Sequence, residues 1–282
     1  MATLLRRFYH GYRYINDELS DPRTQDFWLI GSPWVMLSIV AMYLYFVQDL
    51  GPKLMATKRP FNLHRVMQIY NVVQIVLCAY LLFKAMTLSW MVDFNFFCHV
   101  VDYSPEPRQI EIAKTVWLYF MVKLLDLLDT VFFVLRKKEN QISFLHVYHH
   151  AGMAFGTWNA VKFLAGGHLI FLGTINSFVH VVMYSYYLAT SFRMSRPWWK
   201  KHITQLQLFQ FFLLLVHDLT LAWQTDCHFP KWTVVVLIPQ NVFMMVLFGD
   251  FYYKCYIRKS QAKVSQNGVT AEAANGKLKH SQ

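Results

Sequence analysis

Seven long runs of apolar residues, almost free of charge, limit what this chain can fold into more than any other feature. They cover residues 27–47, 66–83, 115–135, 141–161, 168–192, 203–223 and 232–249. Each is long enough to cross a hydrocarbon layer of about 30 Å as a helix. A soluble core would show alternation or narrow helical stripes in their place. The third run is interrupted by Lys123, Asp126 and Asp129. The longest connection, 84–114, leaves no room for a soluble domain. The expected fold is therefore all-α, a polytopic membrane protein whose seven transmembrane helices enclose a cytosol-facing tunnel. Residues 1–26 form a non-cytoplasmic segment, 27–257 the membrane domain and 258–282 a disordered basic tail. No charged run, apolar core and small-residue cleavage site precede residue 27, so no cleaved signal peptide is expected.

The net charge of +11 is explained by membrane topology, and nucleic acid is not an expected partner. Short loops rich in Lys and Arg stay cytoplasmic. That places Lys53, Lys58, Arg59 and Arg65, then Arg136, Lys137 and Lys138, then Arg193, Arg196, Lys200 and Lys201 on one side, with the C-terminus. The alternate loops carry Asp93, Asp102, Glu106 and Glu111, or only Lys162, or Asp226 with Lys231. Seven spans then put the N-terminus outside, against the pull of Arg6, Arg7, Arg13 and Arg23. Cys98 and Cys227 fall in non-cytoplasmic loops, where an oxidising compartment would join them; Cys78 and Cys255 do not.

Ionisable groups inside spans are costly and mark a cavity or a functional path. Lys123, Asp126 and Thr130 share one stripe of the third helix, with Asp129 beside it. The string HVYHH sets His146, His149 and His150 on one face of the fourth. Asn176, His180, Met183, Tyr184 and Tyr187 keep helical spacing on the fifth, and Thr204, Gln207 and Gln210 on the sixth. Counted from the cytoplasmic ends, these stripes lie roughly 8 to 20 Å deep and can face one another around a polar chamber open to the cytosol. Each has a structural alternative: Lys123 with Asp126 as a buried ion pair, and Gln207 with Gln210 as interhelical glue. His217 and Asp218 are expected to hydrogen-bond to each other in a structural pair, and His168 is given no functional role.

Two chemistries remain open for the histidines. Four imidazoles, His146, His149, His150 and His180, could ligate one zinc or iron and support a membrane oxidase or hydroxylase. With a single HxxHH box and no HxxxH box outside it, a di-iron site lacks ligands, and metal-free chemistry is preferred. Neutral imidazole is a base and a nucleophile; by attacking a thioester it would split acyl transfer into two steps. A seven-helix receptor or transporter would leave the buried histidines unexplained.

The strings KLLDLLDT from Lys123, HVYHH from His146, NSFVHVVMYSYY from Asn176 and TQLQLFQ from Thr204 together resemble the very-long-chain fatty acid elongases, the ELO family. The resemblance spans most of the chain. It implies a multi-pass endoplasmic reticulum enzyme, N-terminus lumenal, that condenses acyl-CoA with malonyl-CoA to 3-ketoacyl-CoA without a metal or other cofactor. It also implies the ketoacyl reductase, dehydratase and enoyl reductase of the cycle as partners, and allows for a homodimer. His149 becomes the expected acylated nucleophile, with His180 at the acyl carbon and His146 and His150 orienting it or relaying protons. Asn176, Tyr184, Tyr187, Gln207 and Gln210 would line the pantetheine path, and Lys123 would hold a carbonyl or carboxylate. Arg136, Lys137, Lys138, Arg193, Lys200 and Lys201 are cations placed for the coenzyme's phosphates. Asp126 stands where the family usually has Glu. Lys277 and Lys279 sit one place too far from the end for a dilysine retrieval signal. The residues closing the acyl end are not identified by the sequence.

Overall fold

The computed structural model describes residues 2–192 and 199–258. Arg193, Arg196 and nearly all of the expected tail lie outside the described residues. Within them the chain is helical, with no strand. A short helix α1 (Ala2–Arg13) precedes α2 (Pro33–Tyr45), which runs on through a π-helical turn into α3 (Gly51–Met55). Then come α4 (His64–Ala85), α5 (Pro107–Leu125), α6 (Leu127–Leu135), α7 (Phe144–Phe163), α8 (Ile170–Ser191), α9 (Lys200–Trp223) and α10 (Trp232–Tyr252). Among the described residues five segments are long and apolar enough to cross a membrane: Pro33–Met55, His64–Trp90, Gly167–Ser191, Lys200–Trp223 and Trp232–Arg258. The protein is thus a multi-pass membrane protein. The expected third and fourth spans are helical too, as α5 with α6 and as α7. The third is broken at Asp126 and carries the charges of Lys123, Asp126 and Asp129, and three histidines lower the apolarity of the fourth, so neither is among the five.

Local chemistry explains the breaks. Ser32 caps α2 by accepting from the Trp34 N–H, and Pro33 sits where a missing N–H does no harm. Ser143 caps α7 in the same way, through the His146 N–H. Helix α6 stops because Lys137 turns left-handed (φ 53°), so that the Lys138 and Lys137 N–H groups reach back to the carbonyls of Phe133 and Val134. Helices α5 and α6 would be one rod but for Asp126, where the Asp129 N–H bonds to the Asp126 carbonyl at 3.2 Å and tightens the turn.

The helices gather in pairs, α4 along α8, α9 along α10 and α5 along α7. One end of the bundle collects the basic loops, where Lys137 donates to the Ala56 carbonyl and the Phe61 N–H to that of Leu135. The opposite end holds a Cys98–Cys227 disulfide with Cα atoms 5.7 Å apart, packed with Val101, Leu164, Leu221 and Phe229. Arg23 belongs to this second end. It is bound to Asp21 and donates to the carbonyls of Gln109 and Ala165, so its charge is internally compensated and does not oppose the orientation rule. Upstream, residues 1–26, expected as a non-cytoplasmic segment, contain helix α1. Leu4, Leu5, Phe8 and Tyr12 share one face, and Arg6, Arg7, His10 and Arg13 the other, a pattern too short and charged to register as an apolar run.

The reversal between α7 and α8 depends on Gly167. Its φ is +58°, and a Cβ there would come within 2.8 Å of Val101 and 3.0 Å of the His99 carbonyl. Gly167→Ala is expected to lower stability by about 2–4 kcal/mol. Gly11→Ala, in open space on α1, should cost nothing and add up to about 1 kcal/mol. Thermal unfolding in detergent compares the two.

Candidate active site

The polar stripes meet in a buried network at the centre of the bundle. Lys123 Nζ lies 3.0 Å from Asp126 Oδ2, and both side chains are almost wholly buried. Removing two charges from water is expensive unless further hydrogen bonds hold them. Here they exist. Asp126 Oδ1 accepts from Gln74 Nε2 at 2.8 Å and lies 3.0 Å from the Tyr184 hydroxyl. That hydroxyl is also 2.8 Å from Asp129 Oδ2, so one proton serves two carboxylates in turn. Gln74 donates as well to the Tyr70 hydroxyl, 2.9 Å away. The His180 ring lies against the pair, with Nδ1 at 3.4 Å from Lys123 Nζ and 3.7 Å from Asp126 Oδ2. The ammonium also faces the Tyr119 ring, 4.9 Å from its centre.

Next to this network is a cavity of about 380 Å³. His149, Asn176 and Gln210 border it at one end, and Ser89, Ile112, Leu169 and Ile170 at the other. Its remaining wall is mainly apolar, from α4, α5, α7, α8, α9 and α10. Tyr119 joins cavity and network, since its hydroxyl donates to Asn176 Oδ1 at 2.8 Å while its ring meets Lys123. Gln210 is buried at the cavity wall with its Oε1 unpartnered, which favours a contact with a guest over interhelical glue. On α7 the His146 and His150 rings lie 4.2 Å apart, and the His149 and His150 rings 5.6 Å apart. His146 Nε2 is also buried without a partner.

Several expectations change. In place of a polar chamber open to the cytosol there is a packed network beside an apolar cavity that runs toward the disulfide end. Lys123, Asp126, His180 and Tyr184 do not border that cavity, so Lys123 is not placed to grip a guest. Tyr187 and Gln207 are also away from it: Tyr187 is 42% exposed, and Gln207 leans on the Met183 sulfur. Arg136 reaches the Met67 sulfur, and Lys138 is exposed at the basic end.

His217 and Asp218 do not pair, since successive helical residues do not face each other. Asp218 binds Asn241 at 2.6 Å, and His217 stacks on His168 with ring centres 3.7 Å apart and planes 13° from parallel. Among the described residues the His168, His217 and Asp218 ligand atoms form one close group, within 4.8 Å, and it is not the His box. Imidazole lone pairs lie in the ring plane, so in two nearly parallel rings 3.7 Å apart they stay in separate planes, which fits ring packing better than convergence on an ion.

The polar residues of α4, a helix expected over 66–83, do not stand out in the sequence pattern. Gln74 is fully buried with Tyr70 one turn before it and Asn71 beside it. An amide inside an otherwise apolar run was the available signal.

Residues 28–264 match the ELO family (GNS1/SUR4 family). The chain belongs to that family. It is 38% identical to very long chain fatty acid elongase 7 of Drosophila melanogaster, over 98% of this chain and 84% of that one. With very long chain fatty acid elongase 4 of Homo sapiens the identity is 40%, covering 98% and 88% of the two chains. Very long chain fatty acid elongase 1 of Homo sapiens is 37% identical over 89% of this chain and 92% of its own. Lys123 and Asp126 lie inside the region that matches the family.

The network predicts graded losses of stability. Asp126→Ala, which strands the Lys123 charge, should cost about 3–5 kcal/mol. Gln74→Leu, which removes one of the donors to Asp126, should cost about 1–3 kcal/mol. The double variant Lys123→Leu/Asp126→Leu should lose less than the sum of its single changes. Unfolding of the parent, Lys123→Leu, Asp126→Leu and the double variant in one detergent measures this coupling.

Proposed function

We propose that this protein condenses a long-chain or very-long-chain acyl-CoA with malonyl-CoA, giving 3-ketoacyl-CoA, coenzyme A and carbon dioxide. The observation that carries the reading is His149 at the polar end of an apolar cavity, within a chain of the elongase family. The names of the relatives support the substrate class.

In this scheme the acyl chain fills the cavity and its thioester carbonyl rests beside His149. An unprotonated imidazole nitrogen attacks the carbonyl, the carbon–sulfur bond breaks, and the thiolate takes the proton that the imidazole loses. The product is a neutral acyl-imidazole and free coenzyme A. Malonyl-CoA then gives up carbon dioxide, and the resulting carbon nucleophile attacks the acyl-imidazole carbonyl. The carbon–nitrogen bond breaks and His149 regains a proton from solvent, so the cycle consumes one proton overall. Gln210 Oε1 and Asn176 face the pantetheine amides and the thioester. His146 and His150 set the His149 ring and pass protons. Lys123 and Asp126 hold the His180 ring at its angle, and this cluster, set back from the cavity, supports the wall through Tyr119, whose ring faces Lys123 and whose hydroxyl donates to Asn176. Tyr184 and Gln74 secure the Lys123–Asp126 pair.

The proposal includes seven crossings, with α5–α6 and α7 shielded from lipid on their polar faces, and a coenzyme held at the basic end by Arg136, Lys138 and their neighbours. The proposal also includes residence in the endoplasmic reticulum membrane with the disulfide end lumenal, which the disulfide supports because it needs an oxidising compartment on that side. The reductases and dehydratase that complete elongation are partners in the same membrane.

Purified protein given acyl-CoA and labelled malonyl-CoA is expected to release labelled carbon dioxide and form 3-ketoacyl-CoA. His149→Ala should lower turnover by at least about a thousandfold, with its melting unchanged. No ketoacyl product from any acyl-CoA length would refute the assignment.

A further inference from the structure

The cavity wall is unusually thin in side chains along one line. On α7, Gly152, Gly156 and Ala160 recur at four-residue spacing beyond His149 and all three border the cavity. Gly173 borders it from α8, one turn from Asn176 toward the disulfide end. A Cβ placed on Gly152, Gly156 or Gly173 would meet nothing within 4 Å, so each glycine faces empty space. Glycine in a helix interior is less favourable than alanine. Neither close helix packing nor a special backbone angle accounts for these three. Two buried polar atoms on the same wall, Gln210 Oε1 and Ser89 Oγ, have no partner, which points independently to a guest along the whole length between them.

We infer that Gly156, Gly173 and Ala160 set the length of acyl chain this protein accepts, by leaving open the space in which successive methylenes lie. The inference rests on the condensation reading above. By helix rise Gly156 is roughly 10 Å and Ala160 roughly 16 Å beyond His149. Side chains added at these depths close the cavity at different distances from the reacting carbonyl. Beyond them stand Ile112, Leu169 and Ile170, larger residues that border the far end. A chain that fits a blocked cavity keeps its reaction, whereas a longer one loses it.

The test uses the full-length protein, an acyl-CoA series of increasing length and malonyl-CoA, reading 3-ketoacyl products by mass. Gly156→Leu and Gly173→Leu should retain condensation of the shortest substrates and lower the upper limit. Rates should fall about tenfold or more for each methylene that no longer fits. Ala160→Leu, deeper in the cavity, should lower the limit by fewer carbons than Gly156→Leu. Val235→Phe, on the outer surface of α10 at 74% exposure, should leave the range unchanged. Gly156→Ala and Gly173→Ala, which add one carbon into open space, keep the comparison decisive where a leucine variant fails to fold. An unchanged length range in variants that still condense, or an equal loss at every length, would overturn the inference. If the parent chain condenses acyl-CoA, such a result leaves the proposed function standing. A parent chain that condenses none overturns both.

Discussion

The bundle depends on keeping one ion pair, Lys123 with Asp126, out of water. Such a pair is destabilising unless its remaining hydrogen-bonding capacity is met, and here the donors come from different helices. Gln74 reaches it from α4 and Tyr184 from α8, while Lys123 and Asp126 end α5 at its break. Those three elements cannot slide or rotate without stranding a charge. The α4–α8 packing and the interruption between α5 and α6 therefore express one electrostatic requirement.

That requirement also divides the interior in two. Polar groups concentrate around Asp126, and the adjoining cavity is left apolar, with Tyr119 and Asn176 as the contact between them. His149 lies on the boundary, bordering the cavity and within electrostatic reach of Lys123 and Asp126. An acyl thioester has the same division, a polar reacting end on a long apolar chain, and the proposed chemistry uses the match. Rigidity supports it, because a nucleophile is useful only when held within a fraction of an ångström of its carbonyl.

Spacing made much of this legible. Lys123 and Asp126 sit three apart on a helix, and the structure pairs them at 3.0 Å. Alternation of basic and acidic loops placed Cys98 and Cys227 at one end, where the structure bonds them. Three-dimensional pairing across helices was not legible. Gln74 lies in a run that hydropathy treats as uniformly apolar, and nothing local says that it faces Asp126. His168 followed a connection and was passed over, although its ring packs on His217, far along the chain. The shape of the cavity was not legible, because polar stripes mark where charges lie, whereas the space borders Gly152, Gly156 and Gly173, whose contribution is missing volume. Helix α1 escaped because a 12-residue amphipathic pattern has no long apolar run.

The central claim is that a histidine of the His box carries the acyl group between the two half-reactions. Intact-mass analysis of the purified protein after incubation with acyl-CoA, in the absence of malonyl-CoA, tests it most directly. The account predicts a mass increase equal to one acyl group, absent in His149→Ala and discharged when malonyl-CoA is added. A protein that forms ketoacyl product at full rate while never acquiring that mass would contradict it, because the condensation would then proceed through a ternary complex with the histidines acting as bases.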